Sequence, residues 1–186
     1  SGVSYLDLDE LVMQVGRDNF FDLRLWYSSM FPFTPEGALA VSNAVTTIAA
    51  GIHLTKAKVI VLDADNTLWG GVIGEDGITG IALGQDYPGR AYMDFQRRIL
   101  SLQQRGFVLV LCSKNNPEDI SEVLQSHPHQ LLKNEHFVAQ RINWLPKPDN
   151  LRSIADELNL GLDSFIFVDD SSYECSAVKH SLPEVA

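Results

Sequence analysis

The chain has 186 residues, enough for one domain with a substantial core, and its 45% hydrophobic and 20% charged residues are ordinary for a globular protein. A formal net charge of −10 argues against general nucleic-acid binding. No apolar run approaches the roughly 20 residues that span a bilayer, so no membrane partner is expected.

Ser1-Gly2-Val3-Ser4 lacks the charged and apolar regions of a signal peptide, and Ser1-Gly2 has the look of a junction left by excision from a longer chain. Cys112 and Cys175 are the two cysteines; they offer no disulfide framework and suit a reducing cytoplasm. Residues 5–16 are expected to be helical, with Leu8, Leu11, Val12 and Val15 on one face and Asp7 with Glu10 as a capping signal. Phe20 to Phe33 is rich in aromatic residues without periodicity, a mark of core packing or a docking surface. Thr34-Pro35 opens a second helix that runs to about Ala50 and is closed by Gly51. Residues 1–57 read as a helical lead-in packed on a catalytic core of residues 58–186, itself one structural unit.

Val59-Ile60-Val61-Leu62 is a buried parallel strand by composition, and it delivers Asp63 and Asp65 into a segment ending in Gly70-Gly71. The two aspartates are expected to differ in role. A strand followed by a simple Asx turn would use the same residues. Val72 to Ile81 forms two short apolar arms around Asp76-Gly77, a hairpin signal. A helix follows from about Arg90 to Arg105, closed by Gly106. The next buried strand, Phe107 to Leu111, ends in Cys112-Ser113-Lys114, and Asn116-Pro117 begins a helix over Glu118 to about Gln125. A weaker strand from Phe137 to Ile142 precedes Lys147. A helix near Asp149 to Leu158 then leads to a last strand, Phe165 to Val168, which ends in Asp169-Asp170. Apolar strands alternating with amphipathic helices predict an α/β fold, a parallel sheet with helices on both faces, with its reactive groups in one crevice at the strands' carboxyl ends. A small hairpin flap and no large cap are expected, because Leu68 to Arg90 and Ser113 to Lys147 leave little room.

Carboxylates that meet at such a crevice repel unless a cation is present, and hard oxygen ligands suit Mg²⁺. Lys147 and the Ser113 hydroxyl would hold phosphate oxygens. An aspartate can attack phosphorus, and another two residues on can move the protons. His53, His127, His129, His136 and His180 show no metal-ligand spacing.

The order Asp63-x-Asp65-x-Thr67, Ser113, Lys147, Asp169-Asp170 resembles the four motifs of the haloacid dehalogenase superfamily. The resemblance implies a Rossmann-like core with Asp63 as nucleophile and Asp65 as acid/base. It also implies Mg²⁺ held by Asp63, the backbone carbonyl of Asp65 and Asp169, with Asp170 in support. Thr67, Ser113, Lys114 and Lys147 are then the residues expected to meet substrate.

A narrower resemblance covers residues 65–77, Leu111 to Asp119, Arg141 to Trp144 and Phe167 to Asp170, which are similar to the FkbH-like family of polyketide synthase systems. The chain departs from that pattern in Leu145-Pro146-Lys147-Pro148 and in Ser171-Ser172. The family implies transfer of a glyceryl unit from 1,3-bisphosphoglycerate to an acyl carrier protein, with loss of phosphate. Cys112 would carry the acyl group as a thioester, facing the crevice, with Lys114 and the helix near Pro117 favouring its thiolate. Two other classes fit these residues: a simple phosphomonoesterase acting on a small phosphorylated metabolite, and a catalytically silent domain that recruits a carrier protein. Intact Asp63, Asp65 and Lys147 speak against the silent domain.

Overall fold

A computed structural model describes residues 6–53 and 57–186, with only the backbone described over residues 49–53. Ser1 to Ser4 and Tyr5, on which the leader reading and the start of the first helix rest, lie outside the described residues. The chain divides into two units, Ser1–Thr55 and Lys56–Ala186.

In the first unit α1 (Leu8–Val15) begins at Asp7, whose carboxylate accepts the Glu10 amide at 3.1 Å and satisfies one orphan N–H of the first turn. Two short helices, α2 (Arg17–Phe20) and α3 (Leu23–Ser29), take up most of the aromatic stretch. Phe20 is fully buried, its ring 4.9 Å from that of Phe21 and 5.5 Å from that of Phe33, while Trp26, Tyr27 and Phe31 are exposed. The helix α4 (Pro35–His53) is capped by Thr34, whose hydroxyl accepts the Gly37 amide at 3.0 Å. It runs past the expected stop at Gly51. A glycine weakens a helix by only about 1 kcal/mol, and ends one only where the chain turns left-handed.

The second unit is built on a four-stranded parallel sheet in the order β3-β2-β1-β4, with β1 (Val59–Leu62), β2 (Val108–Ser113), β3 (Phe137–Ile142) and β4 (Phe165–Val168). Side chains alternate along each strand, so the central strands bury both faces. Ile60, Leu62, Leu109 and Leu111 join one core cluster with α5 (Ile73–Gly80), α6 (Gly89–Gln104) and α7 (Pro117–Ser126). Val59, Val61, Val110 and Cys112 join the other, with α8 (Lys147–Leu158) and α9 (Ser172–Ser181). Register pairs Leu62 with both Leu111 and Val168, which brings the carboxyl ends of β1, β2 and β4 level.

The expected hairpin over Val72 to Ile81 is instead the helix α5. Gly70 and Ala82 do pair antiparallel, but the chain between them coils, because the Asp76 carboxylate accepts the Val72 amide at 2.8 Å and caps the turn from within. Gly77, read as a hairpin position, takes φ 67° inside this helix and kinks it. No separately folded cap stands between Leu68 and α6, or between β2 and α8, where α7, a 3₁₀ turn and β3 use the chain.

Candidate active site

Asp63 continues the pairing of β1 by one residue, its amide donating to the Val168 carbonyl at 3.0 Å. Beyond it the amides of Thr67 and Leu68 turn back to the Ala64 carbonyl at 3.2 and 2.7 Å, so the chain leaves the sheet as a tight turn. Asn66 sits at φ 54°, and its side-chain oxygen accepts the Gly71 amide at 2.8 Å. This turn sends the two aspartates to different partners. Asp63 is buried and accepts the Lys147 ammonium at 2.6 Å. Asp65 is half-buried and accepts Trp69 Nε1–H at 2.9 Å, the Ile73 amide at 3.0 Å and Asn115 Nδ2–H at 2.8 Å.

Lys147 opens α8 two residues before the expected start, with Pro148 in the first turn where a missing N–H costs nothing. Its ammonium bonds both Asp63 and Asp169, which ties β1 to β4. The Ser171 amide donates to the other Asp169 oxygen at 2.9 Å and fixes that carboxylate. Burial pushes the Asp63 carboxyl up, and Lys147 only partly offsets it. Burial would lower Lys147, but the two carboxylates beside it raise it overall, so it stays an ammonium. Asp170 is raised by burial and by its neighbour Asp169. One oxygen each from Asp63, Asp169 and Asp170 fall within 4.8 Å of one another, and these residues could hold a metal ion. Three hard oxygen donors with one shared ammonium are short of positive charge, which suits a small divalent cation such as Mg²⁺.

Asp63, Asp65, Ser113, Lys114, Lys147, Asp169 and Asp170 line one crevice of about 200 Å³ at the strand ends. Glu174 of α9 joins it and pairs with Lys114 at 2.6 Å. A larger cavity, about 750 Å³, lies in the first unit around Arg17, Asp18, Phe21 and Pro32, where Asp22 is paired with Arg24. The cluster of three carboxylates found among the described residues is not there but in the smaller crevice. Chemistry therefore singles out the smaller one.

Two expected residues, Thr67 and Cys112, are not among those that line the crevice. Thr67 is buried, and its hydroxyl has no hydrogen-bond partner among the described residues. Cys112, expected to face the crevice as a thiolate, is 0% exposed and packs in the core with Val110 and Leu151. Burial pushes its thiol up to about 12. The reason is strand geometry: β2 runs on through Ser113, so Cys112 shares the face of Val110. Asn115, Trp69 and Glu174 are contacts that the sequence does not advertise, since each partner is fixed only by the fold.

No protein-family model and no curated protein matches the chain. Among solved structures, the N-terminal part of the protein BF1531 from Bacteroides fragilis, containing a phosphatase domain complexed with Mg, is 32% identical with a TM-score of 0.83. The match covers 97% of this chain and 48% of that one, so this chain spans about half the length of that structure. The magnesium and inorganic phosphate complex of the HAD family enzyme bt-2542 from Bacteroides thetaiotaomicron, an Asp12Ala mutant, is 13% identical with a TM-score of 0.48, over 70% of this chain and 92% of its own. The 3-deoxy-D-manno-octulosonate 8-phosphate phosphatase of Moraxella catarrhalis is 14% identical with a TM-score of 0.45, over 72% of this chain and 67% of its own. The haloacid-dehalogenase-like α/β fold expected from the motifs is the one observed, a parallel sheet covered by helices and shared with the Bacteroides fragilis structure.

Proposed function

We propose that the chain is a Mg²⁺-dependent phosphatase of the haloacid dehalogenase superfamily, with Asp63 as its nucleophile. The observation that carries this reading is the cluster at the strand ends, in which buried Lys147 joins Asp63 to Asp169 and Asp170 completes a set of three oxygens. When bound, Mg²⁺ would neutralise these carboxylates and the charge on the phosphoryl oxygens. Asp63 attacks phosphorus, its new O–P bond forming as the bond to the leaving oxygen breaks, and Asp65 gives that oxygen a proton. Asp65 then takes a proton from the water that opens the aspartyl-phosphate, releasing phosphate and restoring Asp63. Ser113 and Lys147, which line the crevice, would hold the phosphoryl oxygens. Intact-protein mass spectrometry after mixing with acetyl phosphate and Mg²⁺ tests the covalent step. One phosphoryl group should appear on the wild type and none on Asp63→Asn; a phosphoryl group on both would contradict it.

The finer reading is transfer of a glyceryl unit from 1,3-bisphosphoglycerate to an acyl carrier protein, in the cytoplasm and in polyketide biosynthesis. Its supports are the resemblance of residues 65–77 and 111–119 and a crevice without a cap, which suits a bulky carrier arm. In it the Cys112 sulfur attacks the acyl carbon, phosphate leaves, and the thioester exchanges with the carrier thiol. That step requires Cys112 to be uncovered from the core it occupies here. A glyceryl adduct on the wild type that Cys112→Ala lacks would support it. Phosphate release without any adduct leaves the plain phosphatase.

A further inference from the structure

We propose that Asn115 is a positioning residue that leaves Asp65 a single open lone pair for proton transfer at the crevice. The proposal rests on the phosphatase reading above, in which Asp65 moves the protons.

A carboxylate offers about four lone-pair sites in its plane. On Asp65, Oδ1 accepts Trp69 Nε1–H at 2.9 Å and the Ile73 amide at 3.0 Å, which fills both of its sites. Oδ2 accepts Asn115 Nδ2–H at 2.8 Å, and that fills a third. One site remains, on an oxygen of a residue that lines the crevice. The donors have different origins. Trp69 and Ile73 belong to the segment that follows Asp65, four and eight residues on. Asn115 comes from the end of β2, 50 residues away in sequence, and relates Asp65 to the wall that bears Ser113.

Trp69 is 0% exposed and Asn115 is 5% exposed, so bulk water does not compete for the sites they fill. Removing the Asn115 donor gives Oδ2 two open sites. Water then competes, and the proton no longer travels in one direction towards the leaving oxygen. Asn115 touches neither phosphorus nor leaving group in this account; it acts through Asp65.

The demand for that proton depends on the ester. An alkoxide leaves poorly without it, whereas p-nitrophenolate leaves well unprotonated, so a defect in proton delivery shows on the alkyl ester. Mg²⁺-dependent phosphate release is to be measured on glycerol 1-phosphate and on p-nitrophenyl phosphate, for the wild type, Asp65→Asn, Asn115→Leu and Asn115→Ala. Leucine keeps the branched shape of the side chain without its donor and alanine removes the side chain beyond Cβ, so one of them serves if the other does not fold. The loss on the alkyl ester is expected to exceed the loss on the aryl ester by about tenfold for the Asn115 variants, and by more for Asp65→Asn. KM should change little. Equal losses on both esters, or none on either, would overturn the proposal. A selective loss for Asp65→Asn without one at Asn115 overturns the proposal alone; a wild type that releases no phosphate from either ester overturns the phosphatase reading with it.

Discussion

Lys147 holds the site together electrostatically, because its one ammonium serves carboxylates from two strands. Lys147→Met would leave Asp63 and Asp169 buried without that charge. The expected loss is about 3–5 kcal/mol in denaturant unfolding, with part of it recovered by added Mg²⁺ binding the folded state. A variant as stable as the wild type and indifferent to Mg²⁺ would contradict this. Cys112 supports a pH prediction. Burial lifts its thiol from 9.0 in the unfolded chain to about 12 in the folded one, so between those values the folded state holds the extra proton. Its contribution to stability is complete below about pH 9 and is lost as pH rises towards 12. Cys112→Ala should flatten that alkaline fall relative to the wild type; identical slopes would contradict the burial. Placement of the acidic residues was legible in the sequence, because each follows an apolar strand that must end at the same rim. The place of Cys112 was not. A strand buried on both faces carries no alternation to tell crevice from core.

At the scale of elements, α5 shows where sequence patterns mislead. Val72-Ile73 and Ile78 around Asp76-Gly77 have the composition of a hairpin, yet a short apolar run does not by itself separate strand from helix. Contacts decide it: Asp76 takes the Val72 amide, and Ile73 both donates to Asp65 and buries its side chain in the core. Gly71 makes this possible. Its φ is 97°, and a Cβ there would lie 2.5 Å from Asp76 Oδ2. Gly77, at φ 67°, has nothing within 4 Å of such a Cβ. Gly71→Ala should therefore cost more than Gly77→Ala, about 2 kcal/mol or more against about 1, in unfolding measurements. The reverse order would show that Asp76 does not lock the turn. Two helices of the second unit were readable from their punctuation, with Gly106 beyond α6 and Pro117 at the head of α7.

Across the whole molecule, the sheet of the second unit has its own two-sided core and carries every residue assigned to the site. Residues 57–186 produced alone should therefore fold and keep Mg²⁺-dependent activity, as circular dichroism and phosphate release would show; an inactive but folded fragment would assign the first unit a part in catalysis. The parallel sheet and its open crevice were legible because strand and helix patterns alternate from Val59 onward. The exposed aromatic residues of the first unit carried no comparable signal, since Trp26 and Tyr27 lie outside any periodic pattern. On the proposed reading the second unit is a metal-dependent phosphatase working through Asp63. Phosphate release from a simple phosphomonoester, with and without a chelator, in the wild type and Asp63→Asn, tests it most directly. Release should require Mg²⁺ and fall by about a thousandfold or more in the variant. Release that survives the chelator, or that Asp63→Asn sustains to within a few-fold of the wild type, would contradict it.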